Sequence, residues 1–273
     1  MSEFLHIMAL PFLACLILAG IHAYLGFHVI ERQVIFVDLA LAQIAVLGAS
    51  FALVAGYDMD SVQSYWLSLG FTIIGAAIFS LTRFKKQRIP HEAIIGIVYA
   101  VSAAALIMIL SRSGEGDEHI KQALVGNILL VTWPEIIKIF CIYTVIGIFH
   151  FLCRRQFFMI SADTDHAFQS GVNVRLWDFL FYVSFGFVVT SSVKIAGVLL
   201  VFSFLVVPSV CAMLFSNNMR VRLALGWGVG FLASVLGMMV SYYLDYPTGA
   251  SVVCVFGMLL LLSALVKKSL IID

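Results

Sequence analysis

Charge is what this sequence has least of. Of its 273 residues, 16 are Lys or Arg and 15 are Asp or Glu, together 11%, where a water-soluble domain carries about one quarter. Hydrophobic residues make up 62%. A soluble core of this length has no room for so much apolar surface, so most side chains must face lipid or each other. The signs nearly cancel to a net charge of +1, which offers nucleic acid no basic surface. Cysteine is scarce as well: Cys15, Cys141, Cys153, Cys211 and Cys254 stand singly, at spacings that fit neither a disulfide framework nor a zinc site. No Lys or Arg precedes Arg32, so the first apolar run lacks the basic start of a secretion signal and is expected to stay as a membrane helix. There is no Walker A loop for ATP and no serine-nucleophile pattern, and "HEAII" (91–95) has Ile95 where a zinc-protease helix requires a second His.

What is there is apolar length. A membrane-spanning helix needs roughly 20 apolar residues, and such runs lie near 7–29, 34–57, 62–82, 92–111, 134–153, 176–193, 195–216, 222–243 and 248–266. The reading is an all-α polytopic membrane protein of eight or nine transmembrane helices. The count turns on 176–193 and 195–216, with only "TSSVK" (190–194) to part them. "RFKKQR" (83–88), "CRRQ" (153–156), "MRVR" (219–222) and "VKK" (266–268) fall at alternate ends of the runs, while "GYDMDSVQ" (56–63), "GEGDEH" (114–119) and "LDYPTGA" (244–250) fall opposite them. The positive-inside rule assigns the first set to the cytoplasm, with the N-terminus outside and the C-terminus inside. The glycines of "GWGVG" (226–230) lie in an apolar run with no strand before them, and are expected to let helices approach closely.

Two segments are not simple spans. "DEHIKQALVGNILLVTW" (117–133) is amphipathic and then apolar up to Pro134, as a half-helix or re-entrant piece would be. "SADTDHAFQSGVNVRLWD" (161–178) is polar, with Ser161 and Asp163 as candidate N-caps and Gly171 as a stop. It reads as one short helix on the inner face.

A carboxylate at membrane depth needs a partner or a wet cavity. The candidates are Asp38, Gln43, Lys194 and Asp245, with His22 and His119 behind them. Each has a plainer alternative: an ion pair of Asp38 with Arg32, snorkelling or helix capping for Lys194 and Asp245, simple packing for His22. Asp38 and Gln43 are five residues apart, hence ~140° apart on a regular helix. They cannot grip one ion together unless the helix unwinds. Glu115, Asp117, Glu118 and His119 form an acidic outer stretch able to draw cations to a mouth, or simply a solvated loop.

Six blocks in order carry a resemblance: "RQVIFVDLALAQIAVLG" (32–48), "EAIIGIVYAVSAAALIMI" (92–109), "LVGNILLV" (124–131), "DTDHAFQSGVNVRLWD" (163–178), "VKIAGVLLVFSFLVVPSVCAML" (193–214) and "SYYLDYPTGASVV" (241–253). Together they resemble the membrane permeases of ATP-binding-cassette importers for zinc, manganese and iron, the ABC-3 family. The resemblance implies one transmembrane permease domain over 1–273 in a prokaryotic cytoplasmic (inner) membrane. It implies a second permease copy, two cytoplasmic ATP-binding subunits and an extracytoplasmic metal-binding protein as partners. ATP would be bound by the ATPase subunits, with no cofactor held permanently by this chain. The helix near 163–171 would be the coupling helix, with Asp163, Asp165, His166 and Gly171 on the ATPase-facing surface. Asp38, Gln43, Lys194 and Asp245 would line the path or gate, with Gln43 and Asp245 touching the metal in passing. The chain departs from the family pattern at one place. Where typical members read like "GDALSH", an acid one turn before a His, this chain has Leu39 and Gln43, and its acid stands at Asp38. Residue 241, one turn before Asp245, is Ser rather than a second acid. An amide oxygen is a weak ligand for zinc, so two readings stay open. Either a loosely held bare ion is carried, or the cargo is a chelated metal. An ATP-independent channel or secondary transporter is a rival class, and a membrane-embedded enzyme would need a catalytic set that the sequence does not offer.

Overall fold

The structure, a computed structural model, describes residues 2–59, 61–83, 89–111 and 116–272, leaving aside the side chains of residues 2, 3, 5, 116, 117, 119 and 270–272. The loop cations beyond Arg83, together with Glu115 and the side chains of Asp117 and His119, therefore lie outside the described residues. Within them every regular element is a helix: α1 (Ser2–Glu31), α2 (Val37–Val54), α3 (Val62–Leu81), α4 (His91–Leu110), α5 (Gly116–Val125), a 3₁₀ turn at Ile128–Leu130, α6 (Trp133–Leu152), α7 (Arg154–Ala162), α8 (Thr164–Gln169), α9 (Val174–Phe215), α10 (Met219–Leu244) and α11 (Thr248–Ile272).

Eight of these helices are long and apolar enough to cross a membrane. The longest, α9, has 42 residues; at ~1.5 Å each it would run roughly 60 Å if straight, about twice a bilayer's hydrocarbon core. It is not straight. Gly197 breaks it at φ 74° and ψ 162°, a conformation that only glycine adopts freely. The break was expected in "TSSVK", yet residues 190–194 are helical. Their hydroxyls turn back on the helix, Ser191 donating to the Phe187 carbonyl at 2.7 Å and Ser192 to that of Val188 at 2.7 Å, so this polar run needs no loop to satisfy it. The runs 176–193 and 195–216 are thus two arms of one broken helix.

The residues fall into two compact units. One holds Met1–Phe27, Leu124–Cys141 and Ile195–Asp273. Here α10 lies close on α1, where a Cβ on Gly230 would stand 2.9 Å from the Ala19 Cβ and one on Gly226 3.5 Å from that of Ala23. This is the close approach expected of "GWGVG". Gly126, at φ 68° after α5, backs onto Gly197, and the Asn127 N–H donates to the Ile195 carbonyl at 3.2 Å. The half-helix read at 117–133 is therefore α5 and a turn. Pro134 does not stop it but sits in the first turn of α6, where its missing N–H costs nothing.

The other unit holds His28–Ala123 and Ile142–Lys194. Its α2 lies tight on α3, where Gly48 meets the Ser68 backbone and Gly75 meets Ile44. The polar segment 161–178 begins as the end of α7 and continues as α8. Asp163 caps α8, accepting the His166 N–H at 2.9 Å, and Gly171, at φ 76°, closes it. Ser161 is not a cap. It lies inside α7, and its hydroxyl donates to the Phe157 carbonyl at 2.9 Å. A small apolar core of Ile160, Ala167 and Val174, covered by Met159, Phe168, Val172 and Trp177, seats α8.

Candidate functional site

Two polar constellations stand out in the His28–Ala123 and Ile142–Lys194 unit. The first is a buried cluster around Asp178, in the second turn of α9. Arg32, just past α1, brings its guanidinium to 2.6 Å from Asp178 Oδ1, with both side chains fully buried. Arg83, just past α3, reaches Asp178 Oδ2 at 3.2 Å. Each arginine also holds the α7–α8 segment. Arg32 Nε donates to Ser161 Oγ at 2.9 Å, and Arg83 donates to Thr164 Oγ1 at 3.0 Å. His28 Nδ1 lies 2.8 Å from the same Ser161 hydroxyl, and the Arg32 guanidinium stacks 4.1 Å from the centre of the Phe181 ring. Helices α1, α3 and α9 and the α7–α8 segment thus meet in one network of ion pairs and hydrogen bonds. Such a network is rigid when complete and costly when broken.

On the far side of these arginines the end of α1, the 33–36 turn, the head of α4 and α8 line a cavity of about 890 Å³. Its walls carry Glu31, Glu92, Asp163 and Asp165. Glu92 accepts the Phe36 N–H at 2.8 Å and so ties α4 to the start of α2. Asp163, Asp165, His166 and Gly171 are all exposed. The residues read from sequence as coupling are therefore accessible, and two of them, Asp163 and Asp165, line this cavity together.

The second constellation is a smaller cavity of about 130 Å³ between α2, α3, α5 and α9. Ala45, Val46 and Ala49 form its apolar wall. Facing them are Asp58, Ser64, Tyr65, Ser68, Gln122, Thr190 and Lys194. The sequence gives the reason for this polar wall: Ser64, Ser68 and Thr72 recur every four residues on α3, so they share a face. Thr72 continues the row and lies 3.1 Å from Thr190 across the helix contact.

The four path candidates fare differently. Lys194 lines this cavity. Gln43 is 6% exposed, and its Oε1 has no hydrogen-bond partner among the described residues. Asp38, in the first turn of α2, is 1% exposed, and both its oxygens are likewise without one. The alternative pairing of Asp38 with Arg32 is not made, because Arg32 is committed to Asp178. Asp245 belongs to the other unit and is exposed there; it forms the left-handed C-cap of α10, its N–H donating to the Ser241 carbonyl. His22 is buried, its Nδ1 lying 2.8 Å from the Leu18 carbonyl. Among the described residues, no three His, Cys, Asp or Glu side chains gather to hold a metal ion.

Sequence reasoning passed over Asp178 and Arg83. The signal for Asp178 was present: it opens an apolar run, and an ionisable group there demands a partner. Nothing in the sequence says that the partners lie 146 and 95 residues earlier.

The model of the ABC 3 transport family matches residues 4–267. The chain is 27% identical over 203 residues to the manganese transport system membrane protein MntC of Listeria innocua, covering 70% of each. It is 25% identical over 201 residues to the chelated iron transport system membrane protein YfeD of Yersinia pestis, covering 71% of this chain and 67% of that one. Among solved structures, PsaBC from Streptococcus pneumoniae in complex with Fab superposes with a TM-score of 0.79 at 21% identity, over 96% of this chain and 94% of that chain. That likeness speaks for the fold.

Proposed function

This chain belongs to the ABC 3 transport family, and from that premise we propose that it is the membrane permease subunit of an ATP-driven importer of a transition metal. Two copies form the translocation path, two cytoplasmic ATPase subunits drive it, and an extracytoplasmic binding protein delivers the cargo. The N-terminus lies outside and the C-terminus in the cytoplasm of a prokaryotic inner membrane. The naming of similar proteins for manganese and for chelated iron supports a metal cargo.

The observation that carries the reading is the mounting of α8. A permease without an ATP site must receive its work through a surface element that is exposed yet stiffly joined to its membrane helices. Here α8 shows Asp163, Asp165 and His166 to solvent, while Ser161 and Thr164 tie its base to Arg32 and Arg83 and, through them, to Asp178 on α9. Pressure on α8 therefore reaches α1, α3 and α9 together. A channel or secondary transporter would have no use for such a device.

The test is uptake into liposomes holding this chain, its ATPase and its binding protein, with zinc, manganese and iron offered separately. ATP-dependent accumulation of a metal, absent when the ATPase is left out, supports the importer. Accumulation that persists without the ATPase overturns it in favour of a channel or secondary transporter.

A further inference from the structure

The cavity of about 890 Å³ beside α8 holds more negative charge than its own cations neutralise. Glu31, Glu92, Asp163 and Asp165 stand on its walls. The two cations there, Arg32 and Arg83, both pair with Asp178 behind the wall. Carboxylates therefore outnumber guanidiniums, and the balance is negative.

Acids alone would make an ordinary solvated face, but His91 adds something that solvation does not explain. It opens α4, lines the cavity and is 5% exposed. Neither of its ring nitrogens has a hydrogen-bond partner among the described residues. Its neighbour Glu92 uses one carboxylate oxygen on the Phe36 N–H. The other, Oε2, is buried and likewise without a partner among the described residues. Such groups are costly to bury unpaired, so this wall is set for a donor from outside. The lone pair of a neutral imidazole and the oxygens of a carboxylate accept, whereas Lys and Arg side chains only donate. A metal ion would need ligands converging on one point, and among the described residues no three His, Cys, Asp or Glu side chains gather in that way.

Position and size indicate where the donor comes from. Asp163, Thr164 and Asp165 belong both to the cavity wall and to α8 with its cap. A protein seated on α8 therefore meets the cavity as well. At about 890 Å³ the space is near the upper end of the roughly 300–1,000 Å³ of ligand pockets, which suits a loop tip better than one side chain.

We propose that this cavity receives a basic loop of the ATPase subunit, whose Lys or Arg side chains pair with Glu92 and Asp165 and donate to His91. The α8 surface then takes the thrust, while the cavity sets partner choice and register. Charges placed across an interface act chiefly on specificity and association rate, and salt weakens them. The inference rests on the importer reading above, because it names what grips the surface assigned there to coupling.

The experiment measures binding of the purified ATPase subunit, the one used in the liposome test, to the full-length chain in lipid nanodiscs at low and high salt. Wild type is expected to bind more weakly as salt rises. Glu92→Gln and Asp165→Asn are each expected to weaken binding several-fold. Together they should weaken it at least tenfold and flatten the salt dependence. Melting temperatures should hold, since Gln still accepts the Phe36 N–H and Asp165 is exposed. His91→Phe, which keeps a ring but removes both nitrogens, is expected to lose affinity several-fold without a lower melting temperature. Glu118→Gln, the same change of charge on exposed α5, should change nothing.

The sequence holds a second source of the same chemistry in Lys85, Lys86 and Arg88. Replacing all three by Gln is expected to leave the effect of the Glu92→Gln and Asp165→Asn pair intact. If that effect vanishes, the acids serve the chain's own cations and the proposal is overturned. Equal ATPase affinity in wild type and the double variant also overturns it, while ATP-driven uptake would keep the importer reading. Failure of wild type to bind the ATPase, with uptake that needs no ATPase, overturns both.

Discussion

Asp178 takes the Arg32 guanidinium at 2.6 Å in the interior of the protein, and neither side chain reaches solvent. Removing one member of a buried pair costs more than the pair contributes, because the other charge is left unpaired, typically by about 3–5 kcal/mol. Here the loss is doubled in kind, since Arg83 leans on the same carboxylate. Asp178→Asn is therefore expected to lower the yield of monodisperse protein in detergent and its melting temperature sharply. Arg83→Lys, which keeps a charge but loses the guanidinium fork, is expected to fall between. A melting temperature for Asp178→Asn within a degree of wild type would show that the network carries no strain of this kind.

The α8 surface separates stability from coupling. Asp163 caps the helix through the His166 N–H, and losing such a cap costs about 1 kcal/mol. Asp163→Ala should lower both melting temperature and transport, and Asp163→Asn, an equally good cap, should restore the first. Asp165→Ala and His166→Ala remove exposed side chains, so melting temperature should not move. Transport per ATP hydrolysed by the assembled complex should nevertheless fall. Unchanged coupling in both would move the ATPase contact away from α8.

The break in α9 makes a backbone prediction. A Cβ on Gly197 would lie 2.3 Å from the Gly126 nitrogen at a φ of 74°, so neither the conformation nor the space admits a side chain. Gly197→Ala is expected to abolish folded protein in the membrane fraction. Gly228→Ala, on the same scale of chemistry but with nothing within 4 Å of the new Cβ, is expected to leave expression unchanged. Equal expression of the two would mean that α9 runs unbroken.

The sequence made the helices legible and most of the pairing illegible, and the reason is physical. Hydropathy is a local property, so the spans and the capped helix at 163–171 could be read from windows of residues. The α9 break could not: "TSSVK" looks like a loop by polarity, but hydroxyls satisfy themselves on a helix, whereas Gly197 hides in an apolar run. Asp163 and Gly171 announced themselves as cap and stop because those roles are local too. Asp178 with Arg32 and Arg83 needed three dimensions. So did the placing of Lys194 and Asp58 around one cavity, since only folding brings α9 and the loop before α3 to the same space.

Asp38 offers the sharpest contrast between stability and use. Both its oxygens lack a hydrogen bond among the described residues at 1% exposure, and the neighbouring N-terminal turn of α2 compensates a charge there only in part. A buried polar group without a partner costs about 1–3 kcal/mol, and an apolar residue of similar bulk removes that cost. Asp38→Leu is thus expected to raise the melting temperature of the chain in nanodiscs, by several degrees, while ATP-driven uptake falls at least tenfold. Asp38→Asn should gain less stability and keep more transport, because the amide still offers an oxygen to a passing cargo. The pairing of a stability gain with a transport loss is what distinguishes a path residue from a packing residue. If Asp38→Leu instead lowers the melting temperature, the carboxylate has a structural partner, and the path runs elsewhere along α2.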